Sequence, residues 1–240
     1  MRHPLTFLRD VLGAARESPW RRRLRRLVRP AWLAPFRTTP LSSYWGLDRG
    51  TPVDRYYVER FLAQHQADIQ GCVVEVGDSR YTDTFGRTAR QREILDINPN
   101  NPRATIVADL TAADGVPADS FNCFILTQTL QFIFDVDAAL RHVHRTLQPG
   151  GVVLATVPSV SRIAPAYGLE RDYWRFTVAS CRALFGTVFG ADRVTVRSYG
   201  NVRTATAFLF GLASEELSRA ELEEEDEYFP LIITIRALKT

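Results

Sequence analysis

The chain has 240 residues, 45% hydrophobic and 24% charged, with 30 basic side chains against 27 acidic ones and a formal net charge of +3. This is the composition of a soluble globular protein with one full core, so a single domain with an N-terminal extension is favoured over two domains. It argues against a membrane span, which needs ~20 apolar residues in a row, and the small net charge makes no case for nucleic acid.

Three cysteines, Cys72, Cys123 and Cys181, show no metal-ligand spacing. An odd number, two of them inside apolar runs, predicts buried thiols in a reducing cytoplasm and neither disulfides nor a metal site. Residues 2–36 set Leu5, Leu8, Val11 and Leu12, then Trp20, Leu24, Leu27 and Val28, at helical spacing among arginines, with breaks at Pro19 and Pro30. The pattern predicts an amphipathic helical arm, packed on its own domain or on a second copy in a homodimer. Its basic face with interleaved Trp and Leu would also permit peripheral contact with an anionic membrane surface. It lacks the uninterrupted apolar segment of a signal peptide, consistent with a cytoplasmic protein.

A Gly- and Pro-punctuated connector over 38–54 offers Tyr44, Trp45, Asp48 and Arg49 to line a substrate mouth, or equally to anchor the arm. Residues 53–70 place Tyr57, Phe61 and Leu62 on one face with Asp54 at the start, which predicts the helix before the first strand. The expected division is an arm and connector over 1–52 and a folded domain over 53–240.

The next stretch reads GCVVEVGDSRYTDTFG, from Gly71 to Gly86. Its β-branched run predicts a buried parallel strand ending at Gly77. Glu75 does not belong in such a run for packing. A carboxylate at a strand's C-terminal end, beside a glycine, is how open α/β sheets meet nucleotide-like cofactors. A second run, Glu93 to Ile97, contains Asp96 and stops at Asn98-Pro99, and a third, Ala104 to Ala108, runs into Asp109-Leu110. Three successive strands thus carry carboxylates at one edge, the pattern expected of a bound polar ligand. Phe121 to Leu126 predicts a fourth strand, followed by Thr127-Gln128-Thr129-Leu130-Gln131. Residues 136–147 have Ala139, Leu140, Val143 and Leu147 at helical spacing, with His142 and His144 expected at the periphery, and Gln148-Pro149-Gly150-Gly151 stops the helix. Val152 to Val157 predicts a fifth strand, and the alternation with helices is that of a doubly wound α/β sheet.

Taken together, these residues resemble the class I S-adenosylmethionine-dependent methyltransferases, in their small-molecule branch. The carriers are Glu75-Val-Gly77, Asp96, Asp109-Leu110, Asp119-Ser-Phe-Asn, Leu147-Gln-Pro-Gly-Gly151 and Asp172-Tyr-Trp-Arg-Phe-Thr177. The resemblance implies a Rossmann-like α/β fold with a seven-stranded, mostly parallel sheet and an antiparallel last strand, 193–198 being the sixth strand, 231–238 the seventh and 205–222 mainly helical. It implies S-adenosylmethionine as cofactor, with Glu75 and Gly77 at its methionine end, Asp96 on the ribose hydroxyls, Asp109 and Leu110 at the adenine, and Thr127 and Gln128 bordering the methyl group. The family's glycine-rich turn continues here as Asp78-Ser79-Arg80-Tyr81, so Asp78 and Tyr81 stand where bare backbone would approach the cofactor.

The implied reaction is methyl transfer to a small-molecule or sugar acceptor, through oxygen, in natural-product or cell-surface glycan biosynthesis. It leaves open a protein of the same fold that transfers no methyl group, acting as a scaffold or catalysing another reaction in the same pocket. In-line displacement from a sulfonium relies on positioning, worth ~7–11 kcal/mol, and a hydroxyl acceptor gains from a general base. Candidates for catalysis are Asp172, Tyr173 and Arg175, and candidates for acceptor binding are Tyr44, Arg49, Gln131, Trp174 and Tyr199. The Asn/Asp-Pro-Pro-aromatic tetrapeptide of methyltransferases acting on base amino groups is replaced by Thr127-Gln-Thr-Leu130, which disfavours a nucleic-acid substrate. The acidic run 215–227 is expected to be a solvated helix and loop, or else a neutralising partner for the arginine arm.

Overall fold

The computed structural model describes residues 38–240, so the proposed N-terminal arm lies outside the described residues. In chain order the elements are α1 (Val53–Gln64), β1 (Gln70–Val76), α2 (Arg80–Phe85), β2 (Thr88–Asp96), β3 (Ile106–Val107), β4 (Phe121–Thr127) and α3 (Val136–Thr146). They continue with β5 (Leu147–Pro158), α4 (Val178–Phe189), β6 (Val194–Tyr199), α5 (Val202–Phe210), α6 (Arg219–Glu223) and β7 (Ile232–Leu238). The chain forms two compact units. One comprises Val58–Ser159, Tyr173–Ser198 and Ile232–Thr240; the other comprises residues 38–57, Val160–Asp172 and Tyr199–Leu231.

The seven strands lie in the order β3-β2-β1-β4-β5-β7-β6. β1 pairs in parallel with β2 and β4, β4 with β5, and β2 with β3, whereas β7 runs antiparallel to β5. This is the expected Rossmann-like arrangement. The strand order reverses between β1 and β4, and ligands of open α/β sheets bind at the carboxyl ends of the strands beside such a reversal. The central strands are apolar on both faces because helices cover both: Val73, Val74, Cys123, Phe124, Ile125, Leu126, Val153 and Leu154 are all buried.

Several elements differ from the sequence expectation, each for a physical reason. The helix expected over 53–70 stops at Gln64, and β1 begins at Gln70, where Asn122 on β4 accepts the Cys72 N–H at 2.8 Å. Pro149-Gly150-Gly151 does more than stop a helix. It lies inside β5, because Gly150 donates to the Lys239 carbonyl and Lys239 donates to the Gly151 carbonyl. The side chain of Lys239, the only lysine in the sequence, turns back along this seam and donates to Asp119 Oδ1 at 2.7 Å and the Leu147 carbonyl at 2.6 Å.

α4 lies outside the elements expected from the sequence. Thr177 Oγ1 accepts the Ser180 N–H at 3.1 Å and Ser180 Oγ accepts the Thr177 N–H at 3.0 Å, a reciprocal cap, while Cys181, Phe185 and Phe189 form the buried stripe. Thr177→Ala is expected to cost about 1 kcal/mol, read as a fall of about 2–4 °C in the thermal midpoint. His144 on α3 sits edge-on to Phe189 with ring centroids 4.9 Å apart, so it is a packing residue at the helix periphery.

In the other unit, the helix expected over 205–222 is broken. Gly211 takes a left-handed φ of +74° that ends α5, and a Cβ there would lie 2.4 Å from the Ser42 carbonyl oxygen. The acidic run is only partly solvated. Glu216 pairs with buried Arg49 (Nε to Oε2 2.9 Å), and Glu215 accepts the Thr51 N–H at 2.9 Å. Tyr57 on α1 stacks on Tyr199 with centroids 5.9 Å apart and donates to the Leu222 carbonyl at 2.9 Å.

All three cysteines are thiols. Burial pushes Cys181 up to about 12 and Cys123 still higher, while Cys72 is half-buried. Among the described residues, no helix is long and apolar enough to cross a membrane, and no cluster of His, Cys, Asp and Glu could hold a metal ion.

Candidate active site

Glu75 is buried near the end of β1. Its Oε1 accepts the Tyr81 N–H at 3.1 Å, and its Oε2 accepts both the Thr82 N–H and Thr82 Oγ1 at 2.8 Å. A strand carboxylate therefore caps α2, satisfying donors that the helix itself leaves unpaired. Burial raises the Glu75 carboxyl to about 7 against the pull of the Thr82 and Tyr81 hydrogen bonds, and the like charge of Asp78 adds to the rise.

Gly77 follows with φ +85°, and its N–H donates to the Leu95 carbonyl at 2.9 Å. A Cβ built on it would meet nothing within 4 Å. Glycine is thus required there by backbone conformation, and open space lies beside it for a ligand to approach. Asp78 is half-buried and its Oδ1 accepts the Arg80 N–H at 3.0 Å, so its carboxylate shapes the turn. Tyr81 is half-buried on α2.

At the end of β2, Asp96 Oδ1 accepts the Asn98 N–H at 2.9 Å and Oδ2 accepts Asn101 Nδ2 at 2.7 Å. The same Asn101 Nδ2 donates to the Gly77 carbonyl at 2.9 Å. Each carboxylate oxygen keeps a second lone pair, so Asp96 can still accept from a diol. Past β3, Asp109 Oδ1 accepts the Thr111 N–H and Oγ1, both at 2.8 Å, capping a short 3₁₀ turn. Leu110 is buried in the main core, so any contact of Leu110 with adenine falls to its backbone.

β4 ends at Thr127, and Gln128 takes a left-handed φ of +48°, unusual for a residue with a side chain. Its N–H donates to the Thr156 carbonyl at 2.8 Å. Gln131 is buried and donates through Nε2 to the Gln128 carbonyl at 2.9 Å, while its Oε1 has no partner. The Gln131 carbonyl accepts the N–H groups of Tyr173 and Trp174 at 2.9 and 3.3 Å, and the Trp174 indole donates to the Ile133 carbonyl at 3.0 Å.

These bonds fix an aromatic surface on the β4 exit loop. Phe134 is 69% exposed, Tyr173 44% and Trp174 38%. The Phe134 ring stacks on Trp174 at 5.8 Å and meets Tyr173 edge-on at 5.4 Å. Phe134 is not among the residues expected at the site from the sequence. Its signal is the aromatic-rich Gln131-Phe-Ile-Phe-Asp135, a few residues past the end of β4.

The sheet unit therefore brings together Glu75, Gly77, Asp78, Tyr81 and Asp96 at the ends of β1 and β2. Asp109 and Leu110 lie past β3, and Thr127, Gln128, Gln131, Tyr173 and Trp174 gather at the exit of β4. Arg175 also lies in the sheet unit, whereas Tyr44, Arg49, Asp172 and Tyr199 fall in the second unit. The Arg49 guanidinium is buried against Glu216, whose hydrogen bond raises its pKa. Tyr199 is buried and stacks on Tyr57. Tyr44 is half-exposed in the connector, and its N–H donates to Ser42 Oγ. Asp172 Oδ2 accepts the Ala164 N–H at 2.8 Å, closing the loop that follows β5. Arg175 donates to the Trp174 carbonyl at 2.8 Å.

A glycine turn and carboxylates around the reversal of an open, mostly parallel sheet are the features with which Rossmann-like folds meet nucleotide-like cofactors. Residues 71–155, from β1 into β5, match the family model described as a methyltransferase domain. That domain and the fold are like those of S-adenosylmethionine-dependent methyltransferases, so S-adenosylmethionine is the cofactor to set against the site. No curated protein sequence matches it. Among solved structures, a SAM-dependent methyltransferase from Archaeoglobus fulgidus is similar over 77% of this chain and 94% of its own, with TM-score 0.51 and 11% identity. The [4+2]-cyclase SpnF is similar over 76% of this chain and 80% of its own, with TM-score 0.51 and 16% identity. At these identities the likeness is one of fold.

The residues present fit the cofactor. It carries no phosphate, so the side-chain-rich turn after Gly77 need not be an anion nest. The open face of Gly77 gives it room, and Asp96 retains acceptor capacity for a ribose diol.

Proposed function

We propose that the protein methylates an oxygen atom of a small-molecule or sugar acceptor, in natural-product or cell-surface glycan biosynthesis. The observation that carries the acceptor reading is the exposed surface of Phe134, Tyr173 and Trp174 at the exit of β4. Rings held at fixed angles on a strand-end loop offer flat apolar contact to a pyranose face or an aromatic metabolite. When bound, S-adenosylmethionine supplies an electrophilic methyl group. The chain's part is to hold the acceptor in line and remove its proton. Tyr173, exposed on this surface, is the candidate for contact with the acceptor hydroxyl. Asp172 and Arg175 serve to shape the segment that carries it, and Thr127 and Gln128 border the cofactor.

Trp174→Ala is expected to raise the acceptor KM by about 2- to 10-fold, the worth of one aromatic stacking contact, while the cofactor Kd stays within about twofold. An unchanged KM in steady-state assays at saturating cofactor would remove Trp174 from the acceptor site. The reading as a whole is tested by calorimetry with S-adenosylmethionine, followed by mass spectrometry of sugars, nucleotide sugars and phenols incubated with enzyme and cofactor. Methylation of one of these classes is the expected result, and absence of binding at millimolar cofactor would sink it. Cofactor binding with no methylated product would select the second reading, a scaffold or another reaction in the same pocket. A fold shared with a [4+2]-cyclase keeps that reading open.

A further inference from the structure

Asn101 lies in the loop between β2 and β3, and all of its polar groups are engaged. Its Nδ2 donates to the Gly77 carbonyl at 2.9 Å and to Asp96 Oδ2 at 2.7 Å, its Oδ1 accepts the Arg103 N–H at 3.0 Å, and its N–H donates to the Asn98 carbonyl at 3.1 Å. Both amide hydrogens are thus used, one on the glycine turn of β1 and one on the carboxylate of β2. A second tie runs alongside it, where Arg103 Nη2 donates to Ser79 Oγ at 2.8 Å and Ser79 Oγ donates to Asp83 Oδ2 at 2.8 Å. The turn, which continues past Gly77 with residues that carry side chains, is therefore held by side chains from the neighbouring loop.

We infer that Asn101 is a positioning residue for cofactor binding, setting the distance between the open face of Gly77 and the Asp96 carboxylate so that one ligand can contact both. The inference rests on the assignment of Asp96 to the cofactor ribose. The donor must be an amide: a carboxylate at this place would face the Asp96 charge and a carbonyl oxygen with nothing to donate. Aspartate keeps the shape and the acceptor for the Arg103 N–H, and so separates the loss of the bridge from a failure to fold.

The test is calorimetric affinity for S-adenosylhomocysteine in the wild type, N101A, N101D, D96A and D96A/N101A. N101A is expected to weaken binding about 10- to 100-fold, the range for a hydrogen bond to a charged group. In the D96A background, the same change should add no more than about twofold, since coupled residues are non-additive. N101D should bind more weakly than N101A at pH 8 and recover part of the loss near pH 5, where a proton shared between Asp96 and the new carboxyl restores a donor. Binding by N101A within about twofold of wild type, full additivity with D96A, or N101D tracking wild type at both pH values would each overturn the inference. A wild type that binds no S-adenosylhomocysteine would overturn the ribose assignment and this inference together.

Discussion

Replacing Asp96 with alanine is expected to weaken S-adenosylmethionine binding by at least about 100-fold, while the thermal midpoint moves by no more than a few degrees. Two hydroxyl donors on one carboxylate, at ~1.5 kcal/mol or more each, account for a loss of that size. The stability of the protein draws little on the same group. Asp96 is half-buried, and its present partners, Asn98 N–H and Asn101 Nδ2, lie in a loop that water reaches. Calorimetry and thermal denaturation of D96A together decide the matter. A midpoint that collapses with the affinity would make Asp96 a folding residue, and an affinity unchanged within a few-fold would remove it from the ribose.

The second large effect is a stability that falls as pH rises. Glu75 has an ordinary value of 4.5 and is raised to about 7 in the fold, chiefly by burial. Below about 4.5 the carboxyl is protonated in both folded and unfolded chains and carries no penalty. Between about 4.5 and about 7 the folded chain keeps a proton that the unfolded chain has released, so stability is lost with each step up in pH. Above that window the loss is complete, at roughly 3 kcal/mol from ~1.4 kcal/mol per unit of pKa difference. Asp54, also raised by burial, acts in the same direction, whereas His65 and His144, lowered by burial, act against it. The informative quantity is therefore the difference between the wild-type and E75Q profiles from chemical denaturation across pH 4–8. Glutamine loses one acceptor and weakens the α2 cap at every pH, but it has no charge to release. Parallel profiles would show that Glu75 does not ionise within the window.

Most of the sheet could be read from the chain, because buried parallel strands are nearly continuous apolar runs and the interrupting carboxylates Glu75, Asp96 and Asp109 stand out against them. What those carboxylates do was much less legible. Glu75 and Asp109 both spend oxygens on caps, one on α2 and one on a 3₁₀ turn, and a cap supplied by a strand residue six or seven positions upstream leaves no local pattern. For the same reason α2 went unread. Asn101 sits in an Asn- and Pro-rich loop whose composition indicates only a turn, and its bridge exists only because the parallel pairing of β1 with β2 brings Gly77 beside Asp96. Arg49 was illegible in the opposite way. An arginine in a polar connector looks available to a ligand, and only the fold shows it facing Glu216, 167 residues further along the chain.

Lys239 gives the protein a built-in chemical probe. Acylating reagents need an unprotonated, freely rotating amine, and this one is largely buried and donates to Asp119 and the Leu147 carbonyl at the seam of β5 and β7. Its rate of labelling therefore reports how often the C-terminal strand peels from the sheet. With no other lysine side chain in the sequence to compete, peptide mapping of that one site could time the fraying of the last strand without any substitution.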